Sequence, residues 1–456
     1  MQTTDFSYKW WALIGLSLLS FTVFLDFTIV TTAIPFIQKD MHASILELQW
    51  VTNIFGMITS MFMIAAGRSG DLFGRKKVFY TGFFLFGVAA IGAAISHTMD
   101  WLIFFRGVQG FAAAIIATVG VALLPQAFPE KEQTRAIGIF SAFNGAGLAL
   151  GPFVGGLLIS VLSWRWVFWV NIPIIIIGLL CCAFTLKSSP LPNHKIKLDW
   201  WGLILLIVGL GCLIYGIIAG EQQGWNILST WIFIGVGILA LLLLIIVENK
   251  VEQPLLDFSL FKNPQASLAM LVCMTAGLVV FVLIFFDPLY LNLIRKQEAI
   301  LVGITLLTIP AVLVIMSLFW EKLVKKINVI TLLLYGIGIA LLATLCHAFF
   351  TPTITIFFVL LGLIPLGYTW GISNIGTITA LSQVVPSEKM GGAIGTMFTF
   401  WNLSGSIFLA LATVIFHWRQ HGVMTVDSFM NGFHWVAWCS AAVMFIILLA
   451  GLALRR

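Results

Sequence analysis

Apolar runs of the length a helix needs to cross a bilayer, roughly 20 residues, recur along almost the whole chain. Fourteen of them lie near residues 10–37, 46–66, 78–96, 101–124, 136–160, 164–186, 199–219, 230–247, 266–292, 298–320, 328–348, 354–381, 391–416 and 434–454. A soluble domain carries about 25% charged residues. This chain of 456 residues carries 9%, with 60% hydrophobic residues and a mean hydropathy of +1.06. The expected fold class is therefore an all-α integral membrane protein with 14 transmembrane helices, whose 39 Phe and 17 Trp suit a lipid solvent and its interfacial belts.

An even number of spans puts both termini on one side, and Lys and Arg decide which. Of the 24 basic residues, eighteen fall in segments that are cytoplasmic if the N-terminus is inside. Five fall in the opposite segments (Lys39, Arg165, Arg295, Lys296 and Arg419), and Arg106 alone lies within a run. Both termini are thus expected in the cytoplasm, with the loops short enough for a bacterial inner membrane. The first run is about 28 residues long and contains Asp26, so it reads as a retained span and not a cleaved signal.

Several function classes drop out. The net charge of +6 is scattered, which speaks against nucleic acid. The six cysteines lie in apolar runs without a CxxC pair, so neither a disulfide framework nor a metal site is expected. No His, Asp or Cys cluster at one depth suggests an enzyme, and no GxxxxGK[ST] loop suggests direct ATP coupling. No cofactor is expected. The histidines, including His347 near a span end, carry little weight in this reading.

A shift of 257 residues lays "PEKEQTRAIGIF" (129–140) over "PSEKMGGAIGTM" (386–397), and "DLFGRKK" (71–77) is echoed by "EKLVKKI" (321–327). Spans one to six then correspond to spans nine to fourteen. This implies an N-terminal six-helix bundle over 1–190, two linker helices over 191–262 and a C-terminal six-helix bundle over 263–456. Parallel halves of this kind suggest a transporter with its site near the midplane.

Two acids and a base stand inside apolar runs. Asp26 interrupts "SLLSFTVFLDFTIVTTAIPFI", Asp287 lies in "FFDPLY", and Arg106 lies in "LIFFRGVQGF" one turn before Gln109. An intramembrane charge costs several kcal/mol, roughly 2.5–3.5 on insertion scales, and normally faces a partner or a cavity. Snorkelling to the interface is the alternative for Arg106, and interfacial water for Asp287. Pro288 and Pro310 are expected to bend their helices. Gly147, Gly151 and Gly155 fall at intervals of four, which stripes one helix face with small residues; Pro152 and Gly156 add a bend and a second flat surface. Gly67, Gly70 and Gly74 permit a tight reversal, beside which Asp71 can pair with Arg75 across one helical turn or with the neighbouring helix.

These stretches resemble motifs of the major facilitator superfamily, in its fourteen-span drug:proton antiporter branch. Gly67, Asp71, Gly74, Arg75 and Lys76 match the loop G-x-L-a-D-r-x-G-r-k, with Ser69 and Leu72 departing from it. Arg106 and Gln109 match l-x-x-x-R-x-x-q-G. Residues 147–156 match the antiporter motif G-x-x-x-G-P-x-x-G-G completely, and "LDFTIVTTAIP" matches L-D-x-T-I-V-N-V-A-L-P except at Thr31 and Thr32. "WRWVFWVNIP" (164–173) also belongs to the resemblance, which thins after residue 290.

The resemblance implies a major facilitator fold and a proton-coupled exporter of amphipathic organic compounds, working as a monomer in the lipid bilayer. A dedicated exporter of one metabolite, such as a siderophore or peptide-like product, is the second reading. Asp26 and Arg106 would couple to protons, and Asp287 and Gln109 are possible substrate or proton sites. Residues 67–76 would form a cytoplasmic gate. Desolvation favours the neutral carboxyl of Asp26 and a nearby Arg106 the charged one, so rearranging that contact would exchange a proton. A counter-charge for a cationic substrate, or a purely structural ion pair, are the alternatives.

Overall fold

The computed structural model describes residues 6–183, 185, 199–251, 254, 256, 258–385, 390–420 and 425–454. Lys187, Lys195, Lys197, Lys389, Arg455 and Arg456 of the charge pattern lie outside them, as do residues 386–389 of the repeat. Every regular element among the described residues is helical. In chain order they are α1 (Phe6–Met41), α2 (Ile45–Phe73), α3 (Arg75–Ala94), α4 (Met99–Ala127), α5 (Glu130–Val161), the single turn α6 (Trp166–Trp169) and α7 (Asn171–Ala183). Then come α8 (Trp200–Gln223), α9 (Leu228–Glu248), α10 (Pro264–Leu289), α11 (Ala299–Leu306), α12 (Thr308–Lys326), α13 (Val329–Ala348), α14 (Ile356–Gly371), α15 (Thr377–Val384), α16 (Met390–Gln420) and α17 (Val426–Leu454).

Thirteen helical stretches among the described residues are long and apolar enough to cross a membrane. The remaining run read from the sequence, 46–66, lies within the 29-residue helix α2. The helix starts are written locally. Ser44 and Glu47 form a reciprocal cap at α2, with Glu47 N–H donating to Ser44 Oγ (3.2 Å) and Ser44 N–H to Glu47 Oε2 (2.8 Å). Asn263 caps α10, whose first residue is Pro264, while Asp199 and Asn328 cap α8 and α13.

The prolines act where expected. A π-helical turn, Tyr290–Ile294, follows immediately after Pro288. The run over 298–320 breaks at Leu307, between α11 and α12 and three residues before Pro310. A proline at 310 denies Leu306 O its helical donor, which accounts for a break at that point.

The chain divides into two compact units: Met1–Leu198 with Glu298–Pro310, and Asp199–Gln297 with Ala311–Arg456. In the first, α1 packs along α5 and α7, α4 packs between α2 and α3, and α11 lies on α5. In the second, α10 packs on α16 and α13, α13 on α17, and α8 on both α9 and α16. The α1–α5 pair is tied at both ends as well as along its length. Lys9 Nζ donates to Glu132 Oε2 at 2.6 Å. At the opposite end Asp40 Oδ2 accepts from Arg165 Nη1 (2.8 Å) and Trp164 Nε1 (2.9 Å), just beyond α5.

Candidate functional site

Asp26 projects from the middle of α1 into the first unit and is 0% exposed. Its carboxylate is surrounded by donors from two other helices. Arg106 Nη1 on α4 pairs with Oδ2. Asn171 Nδ2, the first residue of α7, donates to Oδ1 at 2.8 Å, and Gln109 Nε2 approaches the same oxygen at 3.3 Å. Arg106, 1% exposed, is itself fixed. Its Nη1 also donates to Gln109 Oε1 (2.9 Å), its Nε donates to Val51 O on α2 (3.1 Å), and its guanidinium lies 4.3 Å from the Phe55 ring centre. Snorkelling is thereby excluded for Arg106: its charge is held inward by a carboxylate, a carbonyl and a ring face.

The arrangement joins α1, α2, α4 and α7 through one buried charge pair. Sequence reasoning brought Asp26, Arg106 and Gln109 together and missed Asn171, although it stands in the quoted "WRWVFWVNIP". The signal was available: Asn171 is a polar residue inside an apolar run, the same feature that singled out Asp26.

The glycine stripe lies directly behind this site. An added Cβ at Gly147 would sit 2.6 Å from Phe21 O, at Gly151 2.9 Å from Ile29 N, and at Gly155 3.0 Å from Ile29 O. The stripe therefore presses α5 against the face of α1 that flanks Asp26, as small residues allow. Gly156 is buried beside it.

Pro152 contributes in a way the sequence did not show. Without an N–H it cannot serve the carbonyl of Leu148 one turn back. Thr28 Oγ1 of α1 donates to that carbonyl instead, at 3.0 Å and fully buried. The Pro152 carbonyl faces Gly303 of α11, where an added Cβ would meet it at 2.5 Å. Thr31 and Thr32, the two departures from the first-helix motif, bond back to Thr28 O and Ile29 O of their own helix, at 2.6 and 2.7 Å.

In the loop over 67–80, Gly74 is the residue that needs to be glycine. Its φ of +93° breaks the chain between α2 and α3. Asp71 lies in the last turn of α2 and Arg75 opens α3. They are not one turn apart on a continuous helix as expected, because the Gly74 kink stands between them. The Asp71 side chain is outside the described residues. Gly67 faces Thr118 of α4 at 3.6 Å, and Lys76 Nζ lies 5.9 Å from the Tyr80 ring centre.

Asp287, in the second unit, is 1% exposed, so interfacial water is not its partner. Its Oδ1 lies 3.2 Å from Nε2 of His347 on α13, which is 0% exposed. The sequence reading discounted His347 because it lies near a span end; the final turn of α13 is covered by aromatic rings.

The family model described as Major Facilitator Superfamily matches residues 16–409, and the chain belongs to that family. It is 30% identical over 411 residues to the multidrug resistance protein Stp of Mycobacterium tuberculosis, covering 89% of this chain and 76% of that protein. It is 28% identical over 421 residues to the tetracenomycin C resistance and export protein of Streptomyces glaucescens, covering 89% and 76%. Among solved structures, the nucleoside transporter NupG superposes with a TM-score of 0.69 over 98% of this chain and 99% of that one, at 14% identity, a likeness of fold. The chain is a multi-pass integral membrane protein with a transporter fold.

Proposed function

We propose that this protein exports amphipathic organic compounds and that proton binding at Asp26 resets the carrier after each substrate leaves. The observation that carries this reading is the buried Asp26–Arg106 pair with its Gln109 and Asn171 donors. A charge kept at such depth is expensive unless it is paired, and in membrane carriers such pairs mark ion pathways. Arg106 cannot give up its proton. Asp26 can, so proton exchange requires Asp26 to leave the guanidinium and meet water.

In the proposed cycle a proton from outside neutralises Asp26 and frees it from Arg106. Release inside restores the pair as it is seen here. The relatives bearing drug-resistance names support export as the direction, and the basic residues support an N-terminus in the cytoplasm of a bacterial inner membrane. One relative carries the name of a single compound, which supports a narrow-substrate version of the same cycle.

The test is uptake of ethidium into inside-out vesicles energised by an imposed pH gradient. Wild type should accumulate the dye and lose it when a protonophore is added. Asp26→Asn should insert normally yet fail to accumulate. Undiminished, protonophore-sensitive accumulation by Asp26→Asn would remove Asp26 from the mechanism.

A further inference from the structure

The second unit holds a buried acid that the cycle above does not use, and its partner allows a proton count. His347 Nδ1 lies 2.7 Å from Ala343 O, one turn back in α13. A carbonyl can only accept, so Nδ1 carries a hydrogen. The other ring nitrogen, Nε2, faces Asp287 Oδ1 at 3.2 Å. A bare Nε2 would set its lone pair against an ionised carboxylate. The pair therefore needs one further proton, on Nε2 or on Oδ1, and with it the pair is neutral overall.

The surroundings sharpen the requirement. The His347 ring centre lies 4.6 Å from that of Phe350 and 6.4 Å from that of Phe433. Tyr290 stacks on Phe433 at 5.4 Å and Phe286 lies against it at 6.5 Å. Neither oxygen of Asp287 accepts a well-aligned hydrogen bond among the described residues. An unprotonated pair would be a net negative charge in an aromatic box, a state that burial opposes.

The other titratable or charged groups on the packed elements are bound elsewhere. Tyr290 Oη donates to Thr351 O (2.8 Å) and Arg295 Nη1 to Ile354 O. His434 on α17 contacts Phe350 O (2.6 Å), and His417 on α16 contacts Thr413 O (3.0 Å). Arg419 lies over Trp418 and Trp435, and Asp427 opens α17 in its first turn. None of these forms an ion pair with Asp287 or His347 among the described residues.

We infer that Asp287 and His347 form a second proton-binding site, which takes up one proton and releases it separately from Asp26. The balance is simple: hydronium gives its proton to Nε2 or Oδ1, and the pair passes from net negative to neutral. Release returns the proton to water. The way out lies next to Asp287, where Pro288 removes a backbone donor and the π-helical turn Tyr290–Ile294 follows. Such turns recur at functional sites, and a shift here would carry Tyr290 away from the box.

This inference rests on the reading of the chain as a proton-coupled exporter, and two measurements separate their failures. In proteoliposomes the membrane potential that just halts ethidium flux at a fixed pH gradient gives the proton-to-dye ratio. Asp287→Asn and His347→Gln should each lower that ratio by one while transport continues. An unchanged ratio in both variants overturns the second site and leaves the first intact. Absence of any coupling in wild type would instead defeat the export cycle.

For that case infrared difference spectra of the purified wild type, Asp287→Asn and His347→Gln between acid and alkaline pH serve alone. A pH-dependent carboxyl or imidazole band should vanish in Asp287→Asn and change in His347→Gln. Spectra unaltered by both substitutions overturn the second site whatever the transport result. His347→Gln keeps the carboxyl, so it carries both measurements if Asp287→Asn does not fold.

Discussion

Asp26 in the first unit receives side-chain donors from Arg106, Gln109 and Asn171, whereas Asp287 in the second meets one imidazole and a wall of aromatic carbon. The guanidinium is permanently charged and forks over a carboxylate, a carbonyl and a ring; the imidazole can be charged or neutral. Both acids lie on corresponding helices, since the shift of 257 carries α1 onto Pro264–Leu289 and its π turn, and α5 onto α16. Asp287 lies one helical turn beyond the position equivalent to Asp26. Equivalent helices thus hold one acid by charge and hydrogen bonds, and the other by a proton.

The largest effect should come from removing Arg106. Arg106→Met takes from Asp26, Gln109 and the Val51 carbonyl the donor that they share, and breaking a buried pair costs about 3–5 kcal/mol. Thermal unfolding in detergent should shift steeply downward and export should be lost. His347→Met should cost far less, because the imidazole meets Asp287 alone while the guanidinium ties three partners together. Equal losses of stability would erase the distinction between the two pairs.

Next in size is a close helix seam in each unit. In the first unit the small residues lie on α5, and Gly151→Val would push into Ile29 N and Thr28; overpacking of this kind costs about 1–3 kcal/mol. In the second, the close approach is at Gly277 on α10, facing Ser404 and the Trp401 backbone of α16. Gly151→Val should disturb proton coupling at Asp26 as well as stability, since Thr28 and Ile29 flank it. A matching Gly277→Val should destabilise without touching the Asp26 pair, as the vesicle assay with a pH gradient would show.

A smaller loss, about 1–2 kcal/mol, is expected for Thr28→Val, which leaves the Leu148 carbonyl without a donor; Thr28→Ser should restore it. The smallest belongs to Thr31→Val. Its hydroxyl only bonds back to its own helix, so the change should be about 0.5 kcal/mol or less in the same melts.

Much of this was legible in the chain. Runs of apolar residues gave the helices, and their caps are spelled out at Ser44, Asn263 and Asn328, because peptide groups in hydrocarbon leave no alternative. Asp26 and Arg106 stood out as charges where charges are costly. Less visible were interactions that depend on which helix faces which. The Leu148 carbonyl is a backbone atom, and nothing in residue spacing says that Thr28 reaches it. His347 looked interfacial because it is near a helix end, yet Phe350 and Phe433 close over that end. The spacing of Asp71 and Arg75 reads as one turn of a single helix, whereas the positive φ at Gly74 sets them on two helices, α2 and α3.

The α8–α9 hairpin has a consequence for the surrounding lipid. At 1.5 Å per residue the 21 residues of α9 measure about 31 Å, close to the thickness of a hydrocarbon core. Most of its side chains face outward, with Trp200 and Trp201 exposed at one end of the pair and Trp225 and Trp231 at the other. Indole rings prefer the headgroup level, so the hairpin is anchored to both leaflets at once. Acyl chains too short or too long must tilt it, and because α8 packs on α16, which packs on α10, that tilt reaches the helix of Asp287 as a mechanical input set by the membrane itself.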